Sequence, residues 1–463
     1  MSRSLVVVFL FCILNYSCQE PKAEETRLVK SLERLQSITI PKDGKYSLAN
    51  ENILIDDGAV QLKTIQLLQD FTILIKTEES IYCLNNPIET AKFPFAVNRH
   101  YLLENEGLKV RQVLFMSKHK PGLTILNFIK NESKSTKQLH FQFETASDLK
   151  SGAKMDSTFG KNAADRVIFD ELTGIFTAKD EENDWYAVWG SSTGRVLNPV
   201  SPECPIIPAE FGVAAAFEIK LELSPDEEEL VPVYIAGSDQ SEFSAIETLA
   251  DLRTDLFTDW DERFALTDSL QSTSKIQIPD QNITDAYNWS KYKAGIFQYK
   301  AAGQKPTSLE DPSELHSLLQ ELSKVFSQQV DKDIFMFDEA QPRHIQPSWQ
   351  FFQPAVLSLL GIYGDIENRV TYIRPNLPPN WKNASIEKFW IDDNQLAISI
   401  TSEKNLITVE ITQTDKKAGL SIEIPEEFSK VKVLGKEVST DTKEGYRRIL
   451  MTGKHVKIEA SKE

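Results

Sequence analysis

Apolar and polar residues alternate along most of the first half of the chain, between about residues 36 and 240. Because successive side chains of a strand point to opposite faces, each such run predicts a strand with one buried face. The clearest runs are Ile53–Asp56, Gln61–Ile65, Phe71–Ile75, Lys109–Phe115, Leu123–Ile129 and Gln138–Phe143. Short polar or glycine-bearing turns separate the runs, and no helical pattern intervenes. This pattern predicts a large antiparallel β-sandwich over 36–240.

The period of the pattern changes between 241 and 365, where apolar residues recur at helical spacing. The predicted helices are Ser241–Phe264, Thr284–Tyr299, Asp311–Val330 and Pro347–Tyr363. Ser241 suits an N-cap because its hydroxyl can accept a hydrogen bond from the first helical turn. Gly361 and Gly364 supply the freedom that the end of the last helix needs, because glycine adopts the left-handed conformation without strain. The chain therefore has a short predicted helical region over 241–365.

Alternation returns after the helical region and continues to the C-terminus. The predicted strands are Ile386–Ile391, Gln395–Thr401, Leu406–Thr412, Gly419–Ile424, Lys430–Val433 and Tyr446–Met451. They predict a second, smaller β-sandwich over 366–463. The predicted fold class is mainly β, with a short helical region between two sandwiches.

The first eighteen residues have the pattern of an export signal. Arg3 precedes an apolar run of about ten residues from Leu5 to Leu14, too short to span a bilayer. We predict that 1–18 is a lipoprotein signal peptide with lipidation at Cys18, and that 19–35 is a flexible tether. A plain secretory signal with a cut further downstream is the alternative. The lipid-anchored form would lie at the outer membrane, at the cell surface or in the periplasm.

The chain of 463 residues is acidic, with a formal net charge of -17. An acidic surface repels nucleic acid and anionic lipid headgroups. We therefore expect no nucleic-acid partner, and contact with a membrane through the N-terminal anchor alone. No motif in the sequence predicts a cofactor.

Two cysteines remain once Cys12 and Cys18 of the predicted signal peptide are set aside. Cys83 and Cys204 are about 120 residues apart and show no spacing typical of metal ligands, so no metal site is predicted. Two buried thiols are the favoured interpretation. A single disulfide is left open, because an exported chain meets an oxidising compartment.

Three phrases of the sequence resemble those of one group of enzymes. They are Pro279-Asp280 followed by Asp285 to Tyr292, then Gln346 to Ile362, and Arg374 to Trp381. Together with the order sandwich, helices, sandwich, these phrases resemble glycogen-debranching enzymes, including amylo-α-1,6-glucosidases, and the wider group of six-hairpin glycosidases. The resemblance spans about residues 40 to 463. It implies an (α/α)6 barrel of six helical hairpins, with sugar bound at its mouth.

The helical region is much shorter than the resemblance implies. About 56 residues separate Trp289 from Gln346, which at 1.5 Å per residue is room for one long helix and its connections. Six hairpins cannot be built from that length. We therefore expect a truncated remnant of the barrel.

The resemblance implies a catalytic glutamate shortly before the phrase that begins at Gln346. Glu339 is the candidate base and Asp338 the alternative, although an exposed acidic loop explains both residues as well. A glycosidase also needs a protonated carboxylic acid. Asp280 and Asp285 are candidates for that acid, but both are explained more simply as residues favoured at a helix start.

Aromatic and polar side chains near the same phrases are candidate substrate-binding residues. They are Trp289, Tyr292, His344, Gln346 and Trp349. The apolar face of a pyranose suits an aromatic plane, and the polar side chains can bond to hydroxyl groups. Aromatic residues at helical spacing are also typical of a protein core, and a loop histidine needs no role.

The sequence as a whole predicts a lipoprotein of carbohydrate metabolism related to six-hairpin glycosidases. Because the barrel is short, we expect a catalytically impaired protein that binds an oligo- or polysaccharide or has a structural role. One alternative is an active glycoside hydrolase acting on α-glucan or a related polysaccharide. Another is an envelope or adhesion lipoprotein that binds a protein partner.

Overall fold

A computed structural model describes eleven stretches of the chain. They are residues 27–28, 30–35, 37–40, 46–49, 52–151, 161–192, 196–198, 200–293, 316–317, 319–320 and 356–462. The fold is mainly β, as the alternating pattern predicts. The described residues form two compact units, divided between Ala265 and Leu266.

The first unit contains two β-sheets. Its strands are β1 (Ile38–Ile40), β2 (Ser47–Ala49), β3 (Ile53–Asp56), β4 (Ala59–Leu62), β5 (Ile65–Lys76), β6 (Ile81–Cys83), β7 (Glu89–Lys92), β8 (Ala96–Leu103), β9 (Leu108–Met116), β10 (Gly122–Asn131), β11 (Lys137–Ser151), β12 (Asp165–Asp170), β13 (Ile175–Asp180), β14 (Tyr186–Ser191), β15 (Val196–Asn198), β16 (Ala214–Leu223) and β17 (Glu228–Ser238). A 3-10 turn at Glu104–Glu106 joins β8 to β9. Sheet A has the order β1-β7-β8-β9-β10-β17-β14-β13-β12, and sheet B has the order β15-β16-β11-β5-β4-β3-β2, with β6 paired to β5.

Sheets A and B each bury one face in a shared core. From sheet B, Phe141 and Phe143 of β11 enter this core, and from sheet A it receives Ile125 and Trp189. The apolar side chains of an alternating strand all point to the same face of the sheet. The two sheets bury these apolar faces against each other, which forms the sandwich.

Two helices cover the outer face of sheet A. Helix α1 (Glu242–Thr254) begins at Ser241, whose side chain accepts a hydrogen bond from the Ser244 amide at 3.2 Å, as the sequence predicts. Its Leu249 packs with Tyr234 of β17 in a second apolar cluster. The single helix predicted to Phe264 is wrong, because α1 ends at Thr254 and α2 runs over Leu256–Ser272.

On the outer face of sheet A, α2 and the segment predicted as a tether pack together in one apolar cluster. Trp260 of α2 makes an edge contact with Phe115, with ring centroids 5.1 Å apart. Leu28 and Leu32 are buried in the same cluster. The described part of the segment 19–35 is therefore packed, because its leucines recur at helical spacing and match an apolar surface.

A disulfide joins Cys83 at the end of β6 to Cys204, with 5.9 Å between their Cα atoms. The favoured sequence interpretation, two buried thiols, is wrong, and the disulfide left open there is present. The two cysteines are 121 residues apart in the sequence, and this separation does not predict that they pair. It arises because β6 pairs with β5 and the segment after β15 returns to the same sheet.

The described residues of the second unit include helix α3 (Gln281–Lys293) and two further sheets. Its strands are β18 (Lys275–Gln277), β19 (Ile362–Asp365), β20 (Val370–Ile373), β21 (Asn383–Ile391), β22 (Asn394–Glu403), β23 (Leu406–Gln413), β24 (Gly419–Pro425), β25 (Lys430–Val433), β26 (Lys436–Glu437), β27 (Asp441–Lys443), β28 (Tyr446–Thr452) and β29 (His455–Ser461). Sheet C has the order β18-β21-β22-β23-β29-β25-β26, and sheet D has the order β19-β20-β24-β28-β27.

Sheets C and D pack on one another, as Gly364 shows. A Cβ added at Gly364 of β19 would lie 2.7 Å from the side chain of Ile391 in β21. Every predicted C-terminal strand is present. The alternation did not reveal β18, which comes from between two helices and pairs with β21.

The helix that leads into sheet D ends earlier than predicted. Residues 356–360 are helical, Gly361 has a φ of 69°, and Tyr363 lies in strand β19 instead of the helix. Most of the predicted barrel remnant lies outside the described residues. Within the described ranges, no helix is both long and apolar enough to cross a bilayer.

Candidate functional site

Most of the site residues predicted from the sequence lie outside the described residues. These are Glu339, Asp338, His344, Gln346, Trp349 and Cys18. Tyr292 lies in α3, and its side chain is not described. Trp289 of the same helix is 2% exposed, so its ring is covered in this structure.

Asp280, a candidate acid, caps helix α3. Its Oδ1 accepts a hydrogen bond from the Ile283 amide at 3.1 Å, which is the geometry of an N-cap. Its Oδ2 accepts a hydrogen bond from Gln320 at 2.9 Å and lies 3.3 Å from Nε2 of His316. The His316 ring in turn makes an edge contact with Trp381. Asp280 therefore ties α3 to the segment of His316 and Gln320, and His316 links that segment to Trp381.

The environment of Asp280 does not suit a general acid. Burial opposes its charge, but the hydrogen bonds from Gln320, the Ile283 amide and His316 outweigh this, and the pKa of the carboxyl is lowered. A general acid must hold its proton at working pH, which calls for a raised pKa. Asp285 accepts a hydrogen bond from Gln281 within α3, at 2.8 Å. The simpler interpretation, a residue favoured at the helix start, fits Asp280.

A second polar cluster lies in the first unit, on the face of sheet B that points away from sheet A. Residues directly opposite in an antiparallel pair share a face. His140 of β11 lies opposite Lys76 of β5 and Lys220 of β16, and Gln142 lies opposite Glu218. We call Lys76, His140, Gln142, Glu144 and Glu218 the β11 polar face.

Glu144 is the deepest member of the β11 polar face. It is fully buried, and its Oε1 accepts hydrogen bonds from the Ser201 amide at 2.7 Å and from Gln142. Its Oε2 is buried and has no hydrogen-bond partner within the described part of the chain. Burial raises the pKa of the Glu144 carboxyl, and the bonds from Ser201 and Gln142 offset this only in part.

Glu218 and His140 form the accessible part of the β11 polar face. Oε1 of Glu218 lies 2.6 Å from Nδ1 of His140, and Oε2 lies 3.9 Å from Nζ of Lys76. The side chain of His140 is 41% exposed, whereas that of Glu218 is 15% exposed. A carboxylate, an imidazole and an ammonium therefore meet at the surface beside a buried carboxyl group.

This arrangement offers hydrogen-bond acceptors and donors side by side. Carboxylate oxygens accept, the ammonium donates, and an imidazole can do either. Such a set suits a ligand with several neighbouring hydroxyl groups. Among the residues that the structure describes, no group of three His, Cys, Asp or Glu side chains is placed to hold a metal ion.

Sequence reasoning did not select the β11 polar face. The signal is present in the run Gln138–Phe143, where His140 and Gln142 alternate with apolar residues. An alternating strand looks the same whether its polar face meets solvent or a covering segment. Only the return of the chain at Ser201 distinguishes the two cases.

No protein-family model matches the sequence, and no curated protein matches it. Among solved structures, a bacterial glucoamylase complexed with acarbose is similar at 10% identity and a TM-score of 0.35, over 55% of this chain and 41% of that one. A protein named as a kojibiose phosphorylase from the human microbiome is similar at 12% identity and a TM-score of 0.34, over 60% and 36%. A galactose mutarotase-like protein from Clostridium acetobutylicum is similar at 10% identity and a TM-score of 0.29, over 44% and 98%.

The chain spans less than half the length of the first two of these proteins. Its structural neighbours are, by name, carbohydrate-active enzymes or related to them, and none of these three is named a debranching enzyme. Likeness of this extent assigns no activity to this chain.

Proposed function

We propose that this chain is a glycan-binding lipoprotein related to six-hairpin glycosidases, and that it has no catalytic turnover of its own. The observation that carries the proposal is the β11 polar face. It places Glu218 within hydrogen-bonding distance of His140 and within ion-pairing distance of Lys76 at the surface of sheet B. The ligand class is a neutral oligo- or polysaccharide, with α-glucan as the first candidate.

A neutral polyhydroxyl ligand fits both this face and the charge of the whole chain. The Glu218 carboxylate can accept from two hydroxyl groups, and His140 and Lys76 can donate to others. The net charge of -17 disfavours anionic polymers. A neutral glycan carries no charge that the acidic surface would repel.

The absence of turnover is supported by the short helical region and by the state of Asp280. A glycosidase needs one protonated acid and one ionised carboxylate on opposite sides of the bond. The lowered pKa of Asp280 makes this residue a poor acid. The hydrolase alternative would then rest on Glu339 together with an acid from elsewhere.

We further propose that the chain is exported and anchored by a lipid at Cys18, on the outer membrane or the cell surface. The disulfide between Cys83 and Cys204 supports export, because disulfides persist in oxidising compartments and are rare in the cytosol. Labelling of Cys18 by a radioactive or alkyne-bearing fatty acid in cells tests this. A chain that incorporates no lipid contradicts the anchor.

A glycan array followed by titration calorimetry on the purified chain tests binding. We expect Glu218→Gln to weaken glycan binding at least about tenfold, because it removes the charge of a charge-assisted hydrogen bond worth on the order of 1.5–3 kcal/mol. Glu222→Gln is the matched control. Glu222 is exposed on the same strand, four residues further along, and its loss should leave affinity unchanged.

Two results would overturn the proposal. If the purified chain releases sugar, and Glu339→Gln abolishes this release, the protein is a hydrolase. Pull-downs that recover one protein partner, together with an array that shows no glycan, would favour the adhesion lipoprotein.

A further inference from the structure

A segment without helix or strand crosses the β11 polar face. It comprises residues 200–213, between β15 and β16, and we call it the strap. Its first contact is with Glu144, whose Oε1 accepts the hydrogen bond from the Ser201 amide. Glu144 and Gln142 are both fully buried, whereas His140 on the same strand is not. The strap therefore covers one end of the face and leaves the other open.

The middle of the strap is held by the disulfide. Cys204 lies in the strap, and Cys83 ends β6, where it pairs with Leu74 of β5. Strands β5 and β11 are neighbours, so the disulfide fixes the strap to the sheet that it covers. Cys83 is half-buried, and a small reductant can reach the bond from its side.

The far end of the strap is held without the disulfide. Gln69 of β5 accepts a hydrogen bond from the Ala209 amide at 2.7 Å and donates one to the Ile207 carbonyl at 3.4 Å. The Val213 amide donates to the hydroxyl of Ser147 at 3.0 Å. Gly212 lies so close that an added Cβ would be 2.1 Å from the Ser147 carbonyl oxygen. This end acts as a fixed attachment.

Apolar packing contributes little to holding the strap down. Ile207 is 76% exposed and Phe211 is 39% exposed, while Ile206 is buried. One buried aliphatic side chain contributes on the order of the stability of one or two hydrogen bonds. The covalent bond at Cys204 is therefore the main attachment between Ser201 and Ile207.

We infer that the strap is a redox-controlled cover of the glycan site: with the Cys83–Cys204 bond intact it shields Glu144 and Gln142, and reduction releases it and extends the site along β11. The reductant is a dithiol. It gives two electrons and two protons to the bond, leaving two thiols on this chain, and becomes a disulfide itself. The identity of the ligand rests on the proposed function, but the release of the strap does not.

Hydrogen exchange tests the release of the strap directly. After treatment with a dithiol, we expect the Ser201 amide to exchange at least about tenfold faster, because its bond to Glu144 now opens with the strap. The amide of Phe143 in the centre of β11 should stay protected and shows that the sheet remains folded. An unchanged exchange rate at Ser201 would overturn the inference.

The double variant Cys83→Ala with Cys204→Ala should show the same fast exchange without reductant. Gln69→Ala is the matched control, since it loosens the far end of the strap and leaves the disulfide in place. It should speed the exchange of Ala209 but not that of Ser201. Fast exchange at Ser201 in this control would contradict the role given to the disulfide.

Glycan titration in the two redox states separates the two proposals. We expect the reduced chain to bind a longer α-glucan at least about fivefold more tightly than the oxidised chain, through the newly opened Gln142 and Glu144. If both redox states bind with equal affinity and Glu218 is still required, the strap does not control the site. The proposed glycan site itself would still be supported. A released strap with no glycan bound in either state would overturn the proposed function instead.

Discussion

At the scale of single residues, the first unit buries several carboxyl groups that the sequence shows only as polar positions. Asp180 is fully buried, and its Oδ1 accepts hydrogen bonds from the amides of Glu182 and Asn183. The run from Asp180 to Asp184 is acidic, and the buried Asp180 carboxylate organises this turn from inside. Asp165 accepts hydrogen bonds from Ser147 and from the Leu149 amide.

The titration of Asp165 leads to a prediction about stability and pH. Burial raises the pKa of Asp165 to about 6, and the neighbouring charges of Asp180 and Asp148 add to this. A carboxyl with a raised folded pKa stabilises the fold below its unfolded pKa, and this contribution is lost as the pH rises through about 6. We therefore expect the free energy of unfolding to fall by on the order of 2–3 kcal/mol between pH 4 and pH 7 from this group alone.

Urea denaturation of wild type and Asp165→Asn at several pH values measures this contribution. The Asn side chain keeps the accepting oxygen but cannot ionise, so its stability relative to wild type should rise with pH. Glu171→Gln, at an exposed position of a nearby turn, is the control and should follow wild type. A difference between wild type and Asp165→Asn that does not change with pH would contradict the assignment.

At the scale of elements, the exit phrase from Arg374 to Trp381 has a clear structural role. Arg374 donates to Oε2 of the buried Glu423 in β24, and Arg448 of β28 donates to Oε1. Burial opposes the charge of Glu423, but these two guanidinium groups outweigh it and lower the pKa of the carboxyl. Trp381 is buried and closes a turn on the Pro378 carbonyl. The assembly of sheet D thus gives this phrase a structural role.

The turn before that phrase depends on Gly361. Its φ of 69° lies in the left-handed region, and a Cβ added there would be 1.5 Å from the carbonyl oxygen of Arg374. We expect Gly361→Ala to lower the free energy of unfolding by roughly 2–4 kcal/mol, from the backbone strain and the collision together.

Gly435→Ala is a matched control for Gly361→Ala. Gly435 also has a positive φ, of 79°, but an added Cβ there would meet nothing within 4 Å. We expect Gly435→Ala to lower the free energy of unfolding by only about 1 kcal/mol, from backbone strain alone. Chemical denaturation of both variants compares them, and equal losses would show that the approach to Arg374 does not matter.

At the scale of the whole molecule, the chain is held together within each unit by contacts distant in sequence. The disulfide bridges 121 residues of the first unit and joins β6 to the strap. The second unit takes β18 from before its helix α3 and pairs it with β21, more than a hundred residues later. Such connections make each unit depend on segments that alternation alone does not associate.

Removing the disulfide should destabilise the first unit measurably. In the chain-entropy model, a cross-link that closes a loop of this length contributes about 4–5 kcal/mol by restricting the unfolded chain. We therefore expect equilibrium unfolding of Cys83→Ala with Cys204→Ala to show a loss of that order under oxidising conditions. A loss below about 1 kcal/mol would show that the cross-link restricts the unfolded chain little.

Local sequence patterns predict the mainly β class, the strands around Phe141 and Phe143, the cap at Ser241 and a helix end near Gly361 and Gly364, although the helix stops at Leu360, before the predicted end. Each of these depends on neighbours within a few residues, through side-chain alternation, a local hydrogen bond or one backbone angle. The tertiary structure alone decided the pairing of Cys83 with Cys204 and the burial of Glu144 beneath the strap. Those features depend on which distant segment returns to a given sheet face. The alternating pattern of a strand is the same whether its polar face meets solvent or a covering segment.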